Sequence, residues 1–313
     1  MNFKYRIKNR IKKYSLDIDG GNKSTVFIAG MGRSGTTWLS ELINYRQNYR
    51  DIFEPFLPYK VEISSPFKYL HYLNPNYEDE ILSNSAKMIL SGKFKSDWTD
   101  VNNQHILTFK RIIKDIRTNL MLKWLSNIRP GMPILLIIRH PLAVIDSYKK
   151  LGWGIEAGGK TSDFDRIIEQ KQLLQDFPIV ETNLKYIDKD DYISQLLYLW
   201  CVLYQVPIKQ LSGTDHKIVF YENLLLYPEE TLSDIFSYIG ERFNGKKILD
   251  IIKKPSITNY RKTDFNMDPT ENIRKWQKSF TEIEVVKSQE IIKRFELDYL
   301  YDNDGFPSSI NKT

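Results

Sequence analysis

The stretch Val26-Phe27-Ile28-Ala29-Gly30-Met31-Gly32-Arg33-Ser34-Gly35-Thr36-Thr37-Trp38 limits what this chain can fold into more than any other. Its short apolar run, bounded by turn residues, reads as a buried strand. Gly30, Gly32 and Gly35 then let the backbone turn tightly, take positive φ and approach a ligand closely. Trp38, Leu39, Leu42 and Ile43 follow at helical spacing. A strand that runs through such a turn into a helix aims backbone N–H groups and the positive end of the helix dipole at one place, which is the layout of an anion cradle. Arg33, Ser34, Thr36 and Thr37 crowd further donors into the same turn.

Three more runs read as buried strands, Tyr49–Phe53, Pro133–Ile138 and Lys217–Tyr221, beside Thr25–Ala29. Helical spacing follows the third in Leu142, Ile145 and Tyr148, and the fourth in Thr231, Ile235, Phe236 and Ile239, with Gly240 as the C-cap. Strands alternating with helices predict an α/β fold, a central parallel sheet flanked by helices with functional loops at the carboxyl ends of the strands. From about Gly152 to Asp190 the chain turns polar and poorly periodic, an excursion over the active-site face.

Set against the nucleoside-triphosphate loop G-x-x-x-x-G-K-[ST], Gly30 and Gly35 have the right spacing and Thr37 takes the hydroxyl position. Thr36, however, replaces the lysine that serves the β- and γ-phosphates, and no convincing apolar strand ending in a metal-binding aspartate is readable downstream. A site for one phosphate plus a singly charged leaving group fits better than a triphosphate site. A second motif, Ile134-Leu135-Leu136-Ile137-Ile138-Arg139-His140-Pro141, carries an arginine at a strand end, with proline opening a helix. Ser147 lies two turns into that helix, so Arg139 and Ser147 can face one anion.

Together the two motifs resemble the superfamily of sulfotransferases that use 3′-phosphoadenosine-5′-phosphosulfate (PAPS), over most of the chain from Val26 to about Tyr301. The resemblance implies a P-loop NTPase-like three-layer sandwich. It implies that Gly32, Arg33, Ser34, Gly35, Thr36 and Thr37 hold the 5′ end of the nucleotide, and that Arg139 and Ser147 hold its 3′-phosphate, with PAP as product. Phe220-Tyr221-Glu222-Asn223-Leu224 followed by Pro228 is similar to another family segment and implies that Tyr221 lies near the adenine, opposite Trp38. Asn223 departs from the usual Asp, and Trp276 resembles a tryptophan near the family's C-terminus.

Arg-Ser-Gly-Thr-Thr followed by Phe53-Glu54-Pro55 is similar to the carbohydrate and protein-tyrosine branch. In that branch a glutamate about 21 residues after the loop arginine acts as base, which implies Glu54. Lys114, 25 residues before Arg139, matches the branch's catalytic lysine, with Lys110, Arg111 and Arg117 as neighbouring alternatives on what also reads as a basic helix face. Sulfonyl transfer needs a base and cations, so the catalytic set is Glu54, Arg33 and Lys114. No metal is expected, since one cysteine and four histidines supply few ligands. The expected acceptor is a hydroxyl, or an amine, of a glycan or glycolipid. A P-loop kinase or nucleotide hydrolase and a non-catalytic PAP-binding module are the competing readings.

The net charge of +6 is the whole excess of six basic residues among the first fourteen, so the body is balanced and no nucleic-acid partner is expected. Phe3, Ile7, Ile11 and Tyr14 give that segment an amphipathic spacing suited to contact with an anionic membrane. Cys201 alone excludes an internal disulfide and fits a reducing compartment. The longest apolar run, Leu196–Tyr204, is too short to span a bilayer. These features predict a cytoplasmic enzyme, peripheral to the inner membrane face if the basic segment docks there. The expected organisation is a basic segment at 1–22, one domain at 23–301 with a substrate-side insertion at 152–190, and a polar tail at 302–313.

Overall fold

The computed structural model describes residues 16–103, 107–153, 163–245, 248 and 268–308. Most of the basic N-terminal segment, part of the 152–190 stretch and the end of the tail lie outside the described residues. Strands β2 (Thr25–Ala29), β3 (Arg50–Phe53), β5 (Arg111–Asp115), β6 (Ile134–Ile138) and β7 (Lys217–Phe220) form one sheet in the order β3-β5-β2-β6-β7. Every pairing in it is parallel. β1 (Leu16–Asp17) and β4 (Leu107–Thr108) make a separate short parallel pair.

Side chains alternate across a strand, and here the alternation separates two cores. Phe27, Ile113, Leu136 and Ile138 enter one apolar cluster, whereas Val26, Ile28, Ile112, Leu135 and Ile137 enter the other. The first face is covered by helices α2 (Pro141–Leu151) and α3 (Tyr192–Leu211), the second by α1 (Thr36–Ile43) and α4 (Pro228–Tyr238). The result is the expected α/β sandwich with helices on both sides of a parallel sheet. Gly240, at φ +71°, follows α4, and the Glu241 N–H donates back to Phe236 O at 2.8 Å, closing the helix as its sequence predicts.

β5 is missing from the sequence-based strand list. Its sequence, Arg-Ile-Ile-Lys-Asp, has charges at both ends, yet all five residues are buried. Lys114 therefore sits on a central strand and not on a solvated helix face. Arg111 is accommodated by Asp17, with contacts at 2.7 and 2.9 Å, by Asp19 at 3.1 Å and by Thr25 Oγ1 at 2.8 Å. Arg50 at the start of β3 shares Asp17 and pairs with Asp100. Removing one member of a buried ionic set strands its partners and costs about 3–5 kcal/mol. This staple fixes β1 to the amino-terminal edge of the sheet.

The stretch read as an aperiodic excursion contains three short helices, Asp163–Ile168, Lys171–Asp176 and Pro178–Asn183. Each buries one or two anchors, among them Phe164, Ile167, Leu173 and Val180. α3 is apolar nearly all round because it is packed nearly all round. Its Pro207 removes a backbone donor, and the Leu203 carbonyl that it leaves free accepts from Asn119 Nδ2 at 2.8 Å. Among the described residues no helix is long and apolar enough to cross a membrane.

Candidate active site

The glycine-rich turn lies at the carboxyl end of β2, between β5 and β6, where open parallel sheets hold ligands. Gly35 precedes α1 at φ +99°, and a Cβ there would stand 2.6 Å from the Tyr221 ring. A Cβ on Gly30 would meet Ile137 O at 2.6 Å and Ser34 Oγ at 2.8 Å. Arg33 also takes positive φ, +67°, which is unfavourable for a residue with a side chain. The Ser34 hydroxyl is buried and donates to Met31 O at 2.5 Å, so it shapes the turn from within. Thr36 and Thr37 face outward into a cavity.

That cavity, about 660 Å³, brings together Gly32, Arg33, Thr36 and Thr37 from the turn, Glu54 from the end of β3, and Lys114 and Arg117 from the end of β5. Phe53, Tyr69, Trp98, Tyr148 and Trp153 form most of the remaining wall. Glu54 is held by Lys114 Nζ on Oε1 at 2.6 Å and by Arg117 Nη1 on Oε2 at 2.7 Å. Burial pushes the Glu54 carboxyl up, but the Lys114 and Arg117 charges outweigh it and hold the group below its ordinary value. Burial lowers Lys114, against the opposing pull of Glu54.

Asp115 does end a buried strand beside β2, which the sequence reading did not find. Its carboxylate is fully buried and accepts from the Phe56 and Arg117 N–H groups, each at 2.8 Å. Burial raises it to about 6. These oxygens are turned into the fold, in a role of joining two loops.

The second motif joins the first directly. Arg139 Nη1 donates to Arg33 O at 3.1 Å, and Ser147 Oγ accepts from Arg33 Nε at 2.9 Å. Ser147 thus bonds Arg33 and not Arg139. Neither arginine has a carboxylate partner among the described residues, and Arg139 Nε is buried without a hydrogen bond. Burial and the neighbouring Arg139 charge lower Arg33. Two adjacent guanidinium groups with an orphaned buried N–H and a cradle that a Cβ would fill suit an anionic nucleotide.

Tyr221 does lie opposite Trp38, with ring centroids 5.4 Å apart and tilted by 58°, and the Arg139 guanidinium stands 4.4 Å from the Tyr221 ring centre. The two rings touch each other, leaving no gap for a planar base between them. Trp276 stacks on His140 at 4.4 Å, behind the strand end that carries Arg139.

Sequence reasoning missed the residues of α3 that hold both motifs in place. Tyr204 OH accepts from Met31 N–H at 3.1 Å and donates to Ile137 O at 3.0 Å, while Trp200 Nε1 donates to Arg139 O at 3.0 Å. Aromatic residues with polar tips inside a buried run were their only signal. The wall residues Tyr69, Trp98 and Trp153 carried none, because their loops reach the cavity only through the tertiary fold.

A parallel sheet that aims a glycine-rich anion cradle, its Arg33 and a clamped carboxylate at one cavity, and that holds Arg139 against the cradle, defines an α/β enzyme of group transfer from an anionic donor. A family model of the sulfotransferase domain matches residues 23–298. The chain belongs to the sulfotransferase family and is a PAPS-dependent sulfotransferase. Among solved structures it is similar to the sulfotransferase domain from the Synechococcus PCC 7002 olefin synthase, at 17% identity and TM-score 0.48, covering 92% of this chain and 98% of that one. It is also similar to the sulfotransferase domain from the curacin biosynthetic pathway, at 16% identity and TM-score 0.46, covering 90% and 98%. A third similar structure is mouse sulfotransferase SULT7A1 complexed with PAP, at 12% identity and TM-score 0.44, covering 93% and 88%. No curated protein sequence matches the chain.

Proposed function

We propose that the protein sulfonates a hydroxyl of a carbohydrate or glycolipid, with Glu54 as general base and Arg33 and Lys114 as the cations at the reacting centre. The observation that carries this reading is the meeting of Glu54, Lys114 and Arg33 with the Gly32–Thr37 turn around one cavity. PAPS supplies a sulfonate on an anhydride whose leaving group is PAP. The chain's part is to hold the anionic donor with the Gly32–Thr37 turn, Arg139 and Ser147, and to place a base beside the acceptor. Glu54 takes the proton of the attacking hydroxyl, while the Lys114 and Arg33 cations stabilise charge on the transferring group and the departing oxygen.

Lys114 and Arg117 hold Glu54 in its proton-accepting form, and each of its oxygens has one donor and a lone pair to spare. The wall supports a ring-shaped acceptor, since the aromatic side chains Phe53, Tyr69, Trp98, Tyr148 and Trp153 line it, against only two aliphatic side chains, Ile116 and Leu151. The basic run before Leu16 favours an acceptor presented at an anionic membrane surface.

The test is Glu54→Gln, read by PAP release from PAPS with octyl β-glucoside as acceptor and by calorimetric titration with PAP. Turnover falling by about 10²–10⁴-fold with PAP affinity nearly intact is the expected result. Retained turnover removes Glu54 as the base, and a joint loss of PAP binding makes it a structural residue.

A further inference from the structure

We infer that Arg117 is a positioning residue for the transfer, one that fixes the Glu54 carboxylate in a single orientation beside the acceptor and acts through Glu54 alone. This deepens the reading above and rests on it.

Lys114 and Arg117 bind different oxygens of Glu54, at 2.6 and 2.7 Å. One donor leaves a carboxylate free to swing about its terminal torsion, which is broad and weakly restrained. Two donors on two oxygens define its plane, and with it the direction of the remaining lone pairs.

The frame around that clamp is built with equal care for its backbone. Glu54 has φ +46°, a strained conformation for a residue with a Cβ, and its N–H donates to Lys114 O at 2.7 Å. The Asp115 carboxylate bonds the Arg117 N–H with one oxygen and the Phe56 N–H with the other. It therefore ties the loop carrying Arg117 to the loop carrying Glu54. Tyr69 presents its ring 5.1 Å from the Arg117 guanidinium, which limits where that group can move.

A buried ion cluster kept for stability alone gains little over apolar packing of the same volume. This cluster lines the cavity wall next to the anion cradle, where orientation matters to the reaction. The charged groups about Glu54 are Lys114, Arg117 and Asp115 from the end of β5, with Arg33 and Asp163 also lining the same cavity. Of these the two that bond it both favour its ionised form, so removing Arg117 moves the Glu54 titration upward and loosens the group at once.

The experiment compares wild type, Arg117→Leu and Arg117→Lys. The Glu54 carboxyl is titrated by carbon-13 NMR on glutamate-labelled protein, its signal assigned with Glu54→Gln, so this readout needs no acceptor. Kinetics follow PAP release from PAPS with octyl β-glucoside across pH, and PAP affinity is measured alongside. In R117L the Glu54 titration and the acid limb of kcat/KM both move to higher pH, kcat falls by about 10²-fold, and PAP affinity holds within about twofold. R117K restores most of kcat and of the titration, and it carries the comparison if R117L does not fold.

An unmoved Glu54 titration in R117L overturns the inference, and so does a moved titration with unchanged kcat. Failure of the base reading looks different. Glu54→Gln then keeps its turnover, while the titration still reports whether Arg117 holds the carboxylate.

Discussion

Arg33 and Ser147, 114 positions apart, meet in a 2.9 Å hydrogen bond from the guanidinium Nε to the hydroxyl, so the two anion motifs are one physical unit. Arg139 completes it by donating to the Arg33 carbonyl. On the proposed reading, ligand binding to either motif is felt by both.

Arg139→Ala lowers PAP affinity by about 10–100-fold, the worth of a charged hydrogen bond, and Ser147→Ala lowers it by less, about 2–10-fold. Arg33→Ala combined with Arg139→Ala departs from additivity by about 0.5–3 kcal/mol, because the groups share a contact. Calorimetric titration of the two single variants and the double variant checks both statements. Strict additivity contradicts the shared unit.

Tyr204→Phe removes one hydroxyl and leaves the Met31 N–H and the Ile137 carbonyl without it. Stranding buried backbone groups costs about 1–3 kcal/mol. A lower Tm is expected in the absence of ligand, together with weaker PAP binding, since the lost contact anchors the cradle to β6. A fall in Tm without any change in PAP affinity shows that the latch supports the fold only.

Gly35→Ala and Gly131→Ala separate two costs. Both glycines have positive φ, +99° and +75°, but only Gly35 faces a neighbour, the Tyr221 ring, while an added Cβ at Gly131 meets nothing within 4 Å. Gly131→Ala loses about 1–2 kcal/mol of stability from the backbone alone and keeps PAP binding. Gly35→Ala loses more and binds PAP poorly. Denaturant titration and calorimetry on the pair measure the difference.

Glu222 is fully buried, and burial raises its carboxyl to about 7, against the lowering effect of hydrogen bonds from the His140 N–H and Tyr301 OH at 2.9 Å each. The folded protein then holds a proton that the unfolded chain, with an ordinary glutamate near 4.5, has released. Stability from this group is present below about pH 4.5 and is lost as pH rises through 7. Glu222→Gln removes that slope, so the difference in Tm between the variant and wild type shifts in favour of the variant as pH rises from 5 to 7.5. A constant difference across that range shows that Glu222 is ionised throughout.

Four of the five strands of the main sheet, the glycine-rich turn and the place of Arg139 at a strand end were legible because each is marked by local chemistry. Apolar β-branched runs declare buried strands, and glycines with small hydroxyl residues declare a phosphate-type turn. β5 was illegible for the opposite reason. Arg111 and Lys114 read as surface charges until Asp17, Asp19 and Glu54, all distant in sequence, are brought against them. The same blindness left Arg117 as no more than one of three alternatives to Lys114. The helices of 163–183 are too short for periodicity to show, with a single buried residue per turn. The expectation that Trp38 and Tyr221 flank a base named two rings that do meet, but not their spacing, which is set by the Tyr221 contact with Gly35.

β5 carries its two ionic clusters at opposite ends, Arg111 bound to Asp17 and Asp19 at one and Lys114 bound to Glu54 at the other. At about 3.3 Å per residue, roughly 10 Å of strand separates them. The ionic set that ties β1 to the sheet is thus spatially distinct from the set that lines the cavity. The contacts of Arg111 with Asp17 and Asp19, and those that join Arg33 to Ser147 and Arg139, involve none of Glu54, Lys114 and Arg117. On the proposed reading, loss of the transfer and loss of the fold are separable by substitution at the two ends of one strand.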